Sequence, residues 1–304
     1  MAAIGATCGG VSASITRALS DNGMDATRVN QFRFVGAFIL LALALRIFAP
    51  HLLHVPRVVR PHLLVIGLLG SFGTGLAYIA SITLLPIATA QALIYTSPIM
   101  LLGIAAVLAR RWPSPIALLT VLVAVGGCWM VVNASAGGDL DPLGIAAALI
   151  AASSFAAYVT IIGRLPIELP AVTIIMAMFT VAVTTLVFIP YPLWTFDFAG
   201  TTAMEWLGLF GVVMLATLVP YLLFAGATLR LPGPVVGVIA TIEPVVAVIV
   251  AWITLGQSLS VTQIAGVAIV LCAATAAQLP VFTRSVTPAA VAPRPEPVTQ
   301  STGG

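Results

Sequence analysis

The feature of this sequence that most limits its fold is a run of 47 residues without a charged side chain, between His62 and Arg110. An α-helix needs about 20 residues to cross the hydrocarbon layer of a membrane. A run of this length therefore predicts two successive membrane crossings, because a water-soluble core has no use for so long an uncharged segment.

Composition places the whole chain in the same class. Of the 304 residues, 61% are hydrophobic and only 7% are charged, whereas about 25% of the residues in an ordinary soluble domain are charged. Long unbroken apolar runs favour helical spans over the strands of a membrane barrel, which show short alternating segments. The sequence thus predicts an all-α polytopic membrane protein that is embedded in the lipid bilayer.

Ten apolar segments have the length of a transmembrane helix. They cover residues 2–19, 29–49, 63–83, 86–109, 115–132, 143–163, 171–189, 206–229, 232–255 and 261–279. They predict a first five-helix repeat over 1–133, a periplasmic linker over 134–141 and a second five-helix repeat over 142–280. Residues 281–304, rich in Pro, Thr, Ser and Ala, are expected to form a disordered cytoplasmic tail. The first span starts directly after Met1, so a few natural N-terminal residues are expected to precede it.

The distribution of charges predicts the orientation of these spans. If both termini lie in the cytoplasm, nine of the twelve arginines fall at cytoplasmic loops or helix ends, and only Arg17, Arg28 and Arg33 lie towards the outside. Acidic residues show the opposite distribution. This agrees with the positive-inside rule and predicts a multi-pass protein of the inner (cytoplasmic) membrane.

The two halves of the chain repeat each other at an offset of 146 residues. The matches that carry most weight are Leu85–Pro86 with Leu231–Pro232, Pro98 with Pro244, and Ser114 with Ser260. Because each half has five spans, an odd number, the second half must enter the membrane in the opposite orientation. Inverted repeats around a site at mid-membrane depth are typical of secondary transporters that work by alternating access.

Glu243 is the strongest candidate for a functional residue. A carboxylate in the middle of an apolar span costs at least about 2.5 kcal/mol, so it is expected to face a cavity or a partner. Pro244, which follows it, has no N–H group and leaves the carbonyl of Ala240 without its helical donor. The repeat places Ser97 and Pro98 at the corresponding positions. The alternative is a structural carboxylate that is hydrogen-bonded to Ser, Thr or Tyr, or paired with an arginine.

Arg33 is the second charged candidate within a span. It is predicted to attract a solute carboxylate at the outer mouth, and the alternative is that its side chain reaches back to the lipid headgroups. Its predicted depth differs from that of Glu243 by on the order of 10 Å, so no direct salt bridge between them is expected.

Several uncharged polar residues within spans complete the predicted binding site. Their hydroxyl, ring or amide groups could contact an amphipathic solute, and the alternative for each is simple packing. They are Tyr78, Tyr95, Tyr158, Tyr221, Gln91 and Ser97. Pro98 and Pro244 are predicted to break the helices that carry this site. The pairs Gly5–Gly9 and Gly233–Gly237 are expected to allow close helix approach.

Several residue types argue against particular chemistries. The chain has no lysine, which excludes a retinal Schiff base and a Walker A nucleotide site. The cysteines Cys8, Cys128 and Cys272 lie in apolar runs and are expected to pack. The three histidines share a loop that has no acid or cysteine, so no metal site is predicted. No cofactor and no nucleic-acid partner are expected.

The segment 240–266, ATIEPVVAVIVAWITLGQSLSVTQIAG, together with Arg33 in NQFRFVGAF, resembles the EamA-type exporters of the drug/metabolite transporter superfamily. Gln257 stands where the family's Leu-Gly-Glu motif has its acid, and Cys8-Gly9-Gly10 stands where a Trp-Gly pair is common. The resemblance covers about residues 1–280. It implies secondary transport, usually outward, of amino acids, related metabolites or drugs.

The sequence therefore predicts an exporter that works by alternating access, with proton antiport as its energy source, as a monomer or homodimer. An importer or facilitator of a small organic solute with the same fold is the second possibility. An intramembrane enzyme and a scaffold without flux are two further functions that fit a helical membrane protein. An enzyme is disfavoured because the chain has no HExxH motif and no two acids share a span.

Overall fold

The computed structural model describes residues 1–132, 140–185, 196–198, 200–255, 259–279 and 282. Most of the predicted linker and tail, the end of the span predicted over 171–189, and Gln257 lie outside these residues. In the described parts the chain is helical and has no β-strand. The expectation of an all-α protein is therefore met wherever the structure describes the chain.

The α-helices follow the apolar segments of the sequence. They are α1 Ala2–Asp21, α2 Ala26–Phe48, α3 Arg60–Gly67, α4 Ala77–Leu84, α5 Ile87–Ile94, α6 Ser97–Ala109, α7 Pro115–Val131, α8 Pro142–Ile162, α9 Ala171–Thr185, α10 Ala203–Val212, α11 Val219–Thr228, α12 Gly233–Ala240, α13 Ile242–Leu255 and α14 Val261–Ala276. A π-helical stretch, Leu68–Leu76, joins α3 to α4, and a second, Val213–Leu218, joins α10 to α11.

Six helical segments of the described chain are long and apolar enough to cross a membrane. They are Thr27–Phe48, Arg57–Leu84, Ile87–Ala109, Pro142–Ile162, Ala203–Thr228 and Gly233–Thr254. Three shorter apolar helices are Pro115–Val131, Ala171–Thr184 and Val261–Ala276. The protein is thus a multi-pass helical membrane protein. A count of ten spans remains a prediction.

Two of the long apolar segments are interrupted near their middle. The first breaks at Tyr95–Thr96, between α5 and α6, and the second at Thr241, between α12 and α13. Pro98 and Pro244 lie in the first turns of α6 and α13, where a missing N–H costs nothing because the first four donors of a helix have no intrahelical partner. Each proline therefore begins a new helix.

The helix boundaries repeat at the same offset as the sequence. Adding 146 to the bounds of α5, Ile87–Ile94, gives the bounds of α12, Gly233–Ala240. The serines that match in sequence both cap helices: Ser114 Oγ accepts from the Ala117 N–H at 3.1 Å and Ser260 Oγ from the Gln263 N–H at 3.2 Å. The two π-helical stretches overlap under the same shift.

Helix α2, from the first half of the chain, packs on the second π-helical stretch. Helix α9, from the second half, packs on the first. A Cβ atom at Gly36 in α2 would lie 2.7 Å from Val213 of the second stretch. In the same way, Gly70 of the first stretch lies against Met178 of α9, where a Cβ would come within 2.7 Å of the methionine Cε. Each half of the chain therefore supports the irregular helix of the other half.

Glycines let α1 lie directly on α13. A Cβ atom at Gly10 would lie 2.6 Å from Val246 Cβ and 2.7 Å from the carbonyl oxygen of Glu243. In α12, a Cβ at Gly237 would lie 2.7 Å from Leu101 Cδ1 in α6. Of the glycines predicted to allow close approach, Gly9 also lies close to α13, where a Cβ would lie 2.9 Å from Glu243 Oε1, and Gly237 lies close to α6. These contacts bring α1, α6, α12 and α13 together.

We expect Gly10→Ala to lower the free energy of unfolding by about 1–3 kcal/mol, because the added methyl group meets backbone atoms and a β-branched side chain that cannot move aside. Thermal unfolding of the purified protein in detergent measures this. Gly103→Ala in α6 is the matched control, since no described atom lies within 4 Å of a Cβ built there. An unfolding temperature of Gly10→Ala equal to that of Gly103→Ala would contradict this account of α1.

Candidate functional site

Glu243 lies in the first turn of α13, directly after the break at Thr241, and its side chain is partly buried. Its carboxyl group packs on α1: Oε1 lies 2.9 Å from the position that a Cβ of Gly9 would take. Among the described residues, none donates a hydrogen bond to this carboxyl group. The alternative of a structural carboxylate held by Ser, Thr, Tyr or Arg therefore finds no partner in the described part of the chain.

Four predicted tyrosines lie within electrostatic range of the Glu243 carboxyl group. Each is partly buried, and they are Tyr78 in α4, Tyr95 after α5, Tyr158 in α8 and Tyr221 in α11. They come from both halves of the chain.

The break in the first half lies beside this group. Gln91 of α5 interacts with the hydroxyl of Tyr78. Ser97 and Pro98 are buried at the start of α6, and a Cβ at Gly237 would lie 3.3 Å from Pro98 Cα. The structure therefore brings Gln91, Ser97 and Pro98 to the same region as the tyrosines.

Arg33 of α2 is anchored to the second π-helical stretch. Its Nε donates to Thr217 Oγ1 at 3.0 Å and its Nη2 lies 3.5 Å from the carbonyl oxygen of Ala216. Arg33 lies within electrostatic range of Glu243, and the predicted difference in their depths stays a prediction. Sequence reasoning missed Thr217 because a lone threonine in an apolar span carries no signal of its partner.

Aromatic rings fix the positions of two of these tyrosines. The ring of Tyr221 packs on Phe179 at 5.6 Å and on Phe34 at 6.2 Å between centroids. Tyr158 packs edge-on against Phe155 at 5.3 Å. Edge-to-face contacts at such distances stabilise aromatic pairs beyond the burial of their area. Tyr221 is therefore held on the side that faces Arg33.

A second group of aromatic rings was not predicted. Phe32, Phe196, Phe198 and Trp206 pack together with centroid distances between 4.6 and 6.2 Å. They fasten the start of α2, one residue before Arg33, to the start of α10. This aromatic cluster therefore holds the part of α2 next to Arg33 against α10.

The cysteines and histidines add no site of their own to this arrangement. Cys128 is buried in α7, and its Sγ lies 3.8 Å from the carbonyl oxygen of Thr241 at the helix break. Within the described residues, no three His, Cys, Asp or Glu side chains lie close enough together to hold a metal ion. Any polar chemistry at the centre therefore rests on the acid, the arginine, the amide and the hydroxyl groups.

Two cavities lie away from Glu243. One of about 260 Å³ is lined by Ile162, Glu168, Leu169 and Arg230 together with neighbouring apolar residues. Another of about 370 Å³ lies between Leu52, Arg60 and Leu63 on one side and Met176 and Thr180 on the other. The cavity predicted around Glu243, Pro98 and Pro244 remains a prediction.

These features define a multi-pass helical membrane protein with a polar centre at the broken helices. The sequence matches the EamA-like transporter family over residues 1–133 and again over 142–277. The chain belongs to this family, and the resemblance predicted from its sequence is confirmed.

One solved structure supports the fold. A crystal structure of another protein, 20% identical in sequence, superposes with a TM-score of 0.74 and covers 92% of this chain and 96% of its own. At this identity the likeness concerns the fold alone. No curated protein matches the sequence.

We expect Phe179→Ala to cost about 3–5 kcal/mol of unfolding free energy, because this fully buried ring supports both Phe34 and Tyr221 and its loss leaves a cavity. Phe48→Ala, at a position where the ring is 84% exposed, is the control and should change stability by less than about 1 kcal/mol. Thermal unfolding in detergent distinguishes the two. Equal effects of the two substitutions would show that Phe179 does not support the site.

Proposed function

We propose that the protein is a secondary active transporter that moves a small organic solute across the cytoplasmic membrane by alternating access. Membership of a family of transporters supports movement of a solute and gives no support to an enzyme or a scaffold. The observation that carries the proposal is the carboxyl group of Glu243 at a helix break, without a hydrogen-bond donor among the described residues and within electrostatic range of four tyrosines and Arg33. A polar group at membrane depth is costly and is retained where it serves transport.

The proposed architecture is ten transmembrane helices in two inverted five-helix repeats, with both termini in the cytoplasm. The shared offset of α5 with α12, of the two caps and of the two helix breaks supports two copies of one unit. The packing of α2 and α9, each on the π-helical stretch of the other half, supports a central position of the site. Orientation rests on the distribution of the arginines.

The proposed direction is outward, and the proposed solutes are amino acids, related metabolites or drugs. Both come from the resemblance to EamA-type exporters. An importer or facilitator with the same fold is the second candidate, since a site enclosed by both halves serves either direction. Exchange of a proton at Glu243 would provide the coupling.

Comparing metabolites inside and outside cells, with and without the gene, tests solute and direction together. We expect at least one amphipathic metabolite to accumulate inside cells that lack the gene and to return to its normal level on complementation. The inactive control is the same gene carrying Glu243→Gln. Accumulation outside the deleted cells would favour import, and unchanged pools across a broad panel would contradict transport.

We expect Glu243→Gln to abolish solute movement driven by a pH gradient in proteoliposomes, because the amide keeps the shape of the side chain but cannot release a proton. Glu205→Gln is the matched control. Glu205 accepts from the Thr202 N–H at 2.7 Å in the capping box of α10, and glutamine serves equally in that role. Full pH-driven transport by the Glu243→Gln protein would overturn the role of this residue.

A further inference from the structure

A proline lies close to the point where Arg33 is anchored. Pro220 has no N–H group, so the carbonyl oxygen of Ala216, four residues before it, lacks the donor that an α-helix would supply. Arg33 Nη2 lies 3.5 Å from this oxygen. The guanidinium group thus adds a donor to a backbone carbonyl of the π-helical stretch that receives no α-helical hydrogen bond.

Thr217 makes the second contact between the guanidinium group and the π-helical stretch. It is fully buried, with no exposed surface, and its Oγ1 accepts from Arg33 Nε at 3.0 Å. The two contacts come from consecutive residues of the π-helical stretch, one through the backbone and one through the side chain. Two contacts on a planar group fix its position and limit its rotation.

The guanidinium group keeps donors for another acceptor. It carries five N–H donors, and the two contacts with the π-helical stretch use two of them. Tyr221 lies within reach of the group, but among the described residues no carboxylate forms an ion pair with Arg33. A planar cation with a fixed orientation and free donors is suited to bind a carboxylate through two parallel hydrogen bonds.

The position related to Arg33 by the repeat does not carry a charge. Adding 146 to 33 gives Phe179, which is fully buried in α9. The cationic position therefore occurs in the first half and not at the matching position of the second half.

We infer that Thr217 is a positioning residue, which orients Arg33 so that the transporter takes solutes bearing a carboxylate group. This inference rests on the proposed function and adds to it the chemical class of the solute and a residue that determines specificity. Arg33 contacts the carboxylate, whereas Thr217 acts only through Arg33.

Binding of benzoate to the purified full-length protein in detergent tests the inference without knowledge of the natural solute. Benzoate offers one carboxylate and one ring, and benzamide is its uncharged analogue. A ligand that binds the folded protein raises its unfolding temperature in a concentration-dependent way. We expect benzoate to raise it and benzamide not to do so, and we expect Arg33→Gln to abolish the effect.

The substitutions at Thr217 separate positioning from packing. Thr217→Val keeps the volume but removes the acceptor, and we expect the half-maximal benzoate concentration to rise about tenfold. Thr217→Ser keeps the hydroxyl group and should restore binding to within about twofold of the unmodified protein. Thr228→Val is the matched control, because Thr228 is also buried but its hydroxyl donates only to Phe224 of its own helix, at 2.8 Å. Should Thr217→Val not fold, Thr217→Ala takes its place.

Three results would overturn the inference: equal responses to benzoate and benzamide, no response to either, or unchanged benzoate binding in Thr217→Val. None of these results would contradict the proposed function if proteoliposomes still move a solute in a Glu243-dependent way. Conversely, the protein could bind carboxylates in a Thr217-dependent way and yet move no solute. That result would contradict the proposed transport and support the carboxylate site.

Discussion

The structure depends on the high cost of an unsatisfied backbone group in lipid. Where no water is present, each N–H and C=O must find a partner within the protein, and regular helices satisfy nearly all of them. Three prolines, Pro98, Pro220 and Pro244, lie in the first turns of helices, where the chain departs from one continuous α-helix. Pro98 and Pro244 begin new helices at breaks, and Arg33 contacts the carbonyl oxygen of Ala216, four residues before Pro220. The polar centre of the protein lies where the regular α-helix is interrupted.

Close packing around these places depends on small residues. Gly9 and Gly10 allow α1 to lie on α13 next to the Glu243 carboxyl group, and Gly237 allows α12 to approach Pro98. Larger residues at these positions would separate the helices and open the breaks to lipid. Irregular backbone at membrane depth is tolerated only when protein encloses it, and the glycines make that enclosure possible.

Much of this organisation could be predicted from the sequence, because charge-free length, proline position and the 146-residue offset are direct physical signals. The helix breaks at Pro98 and Pro244 follow that prediction, whereas the roles of Tyr78, Tyr95, Tyr158 and Tyr221 at Glu243 stay predictions. Thr217 could not be predicted, because its partner lies 184 residues away and a threonine in an apolar span commonly bonds to its own helix. The π-helical stretches were likewise not predicted, because no distinct sequence pattern marks them.

The unequal charge of corresponding positions means that the two halves are not interchangeable. A protein made from two copies of the first half would hold two arginines and no acid at the centre, since Ser97 stands where Glu243 does. Two copies of the second half would hold two acids and, with Phe179 in place of Arg33, no cation. A site that needs both charges therefore needs both halves.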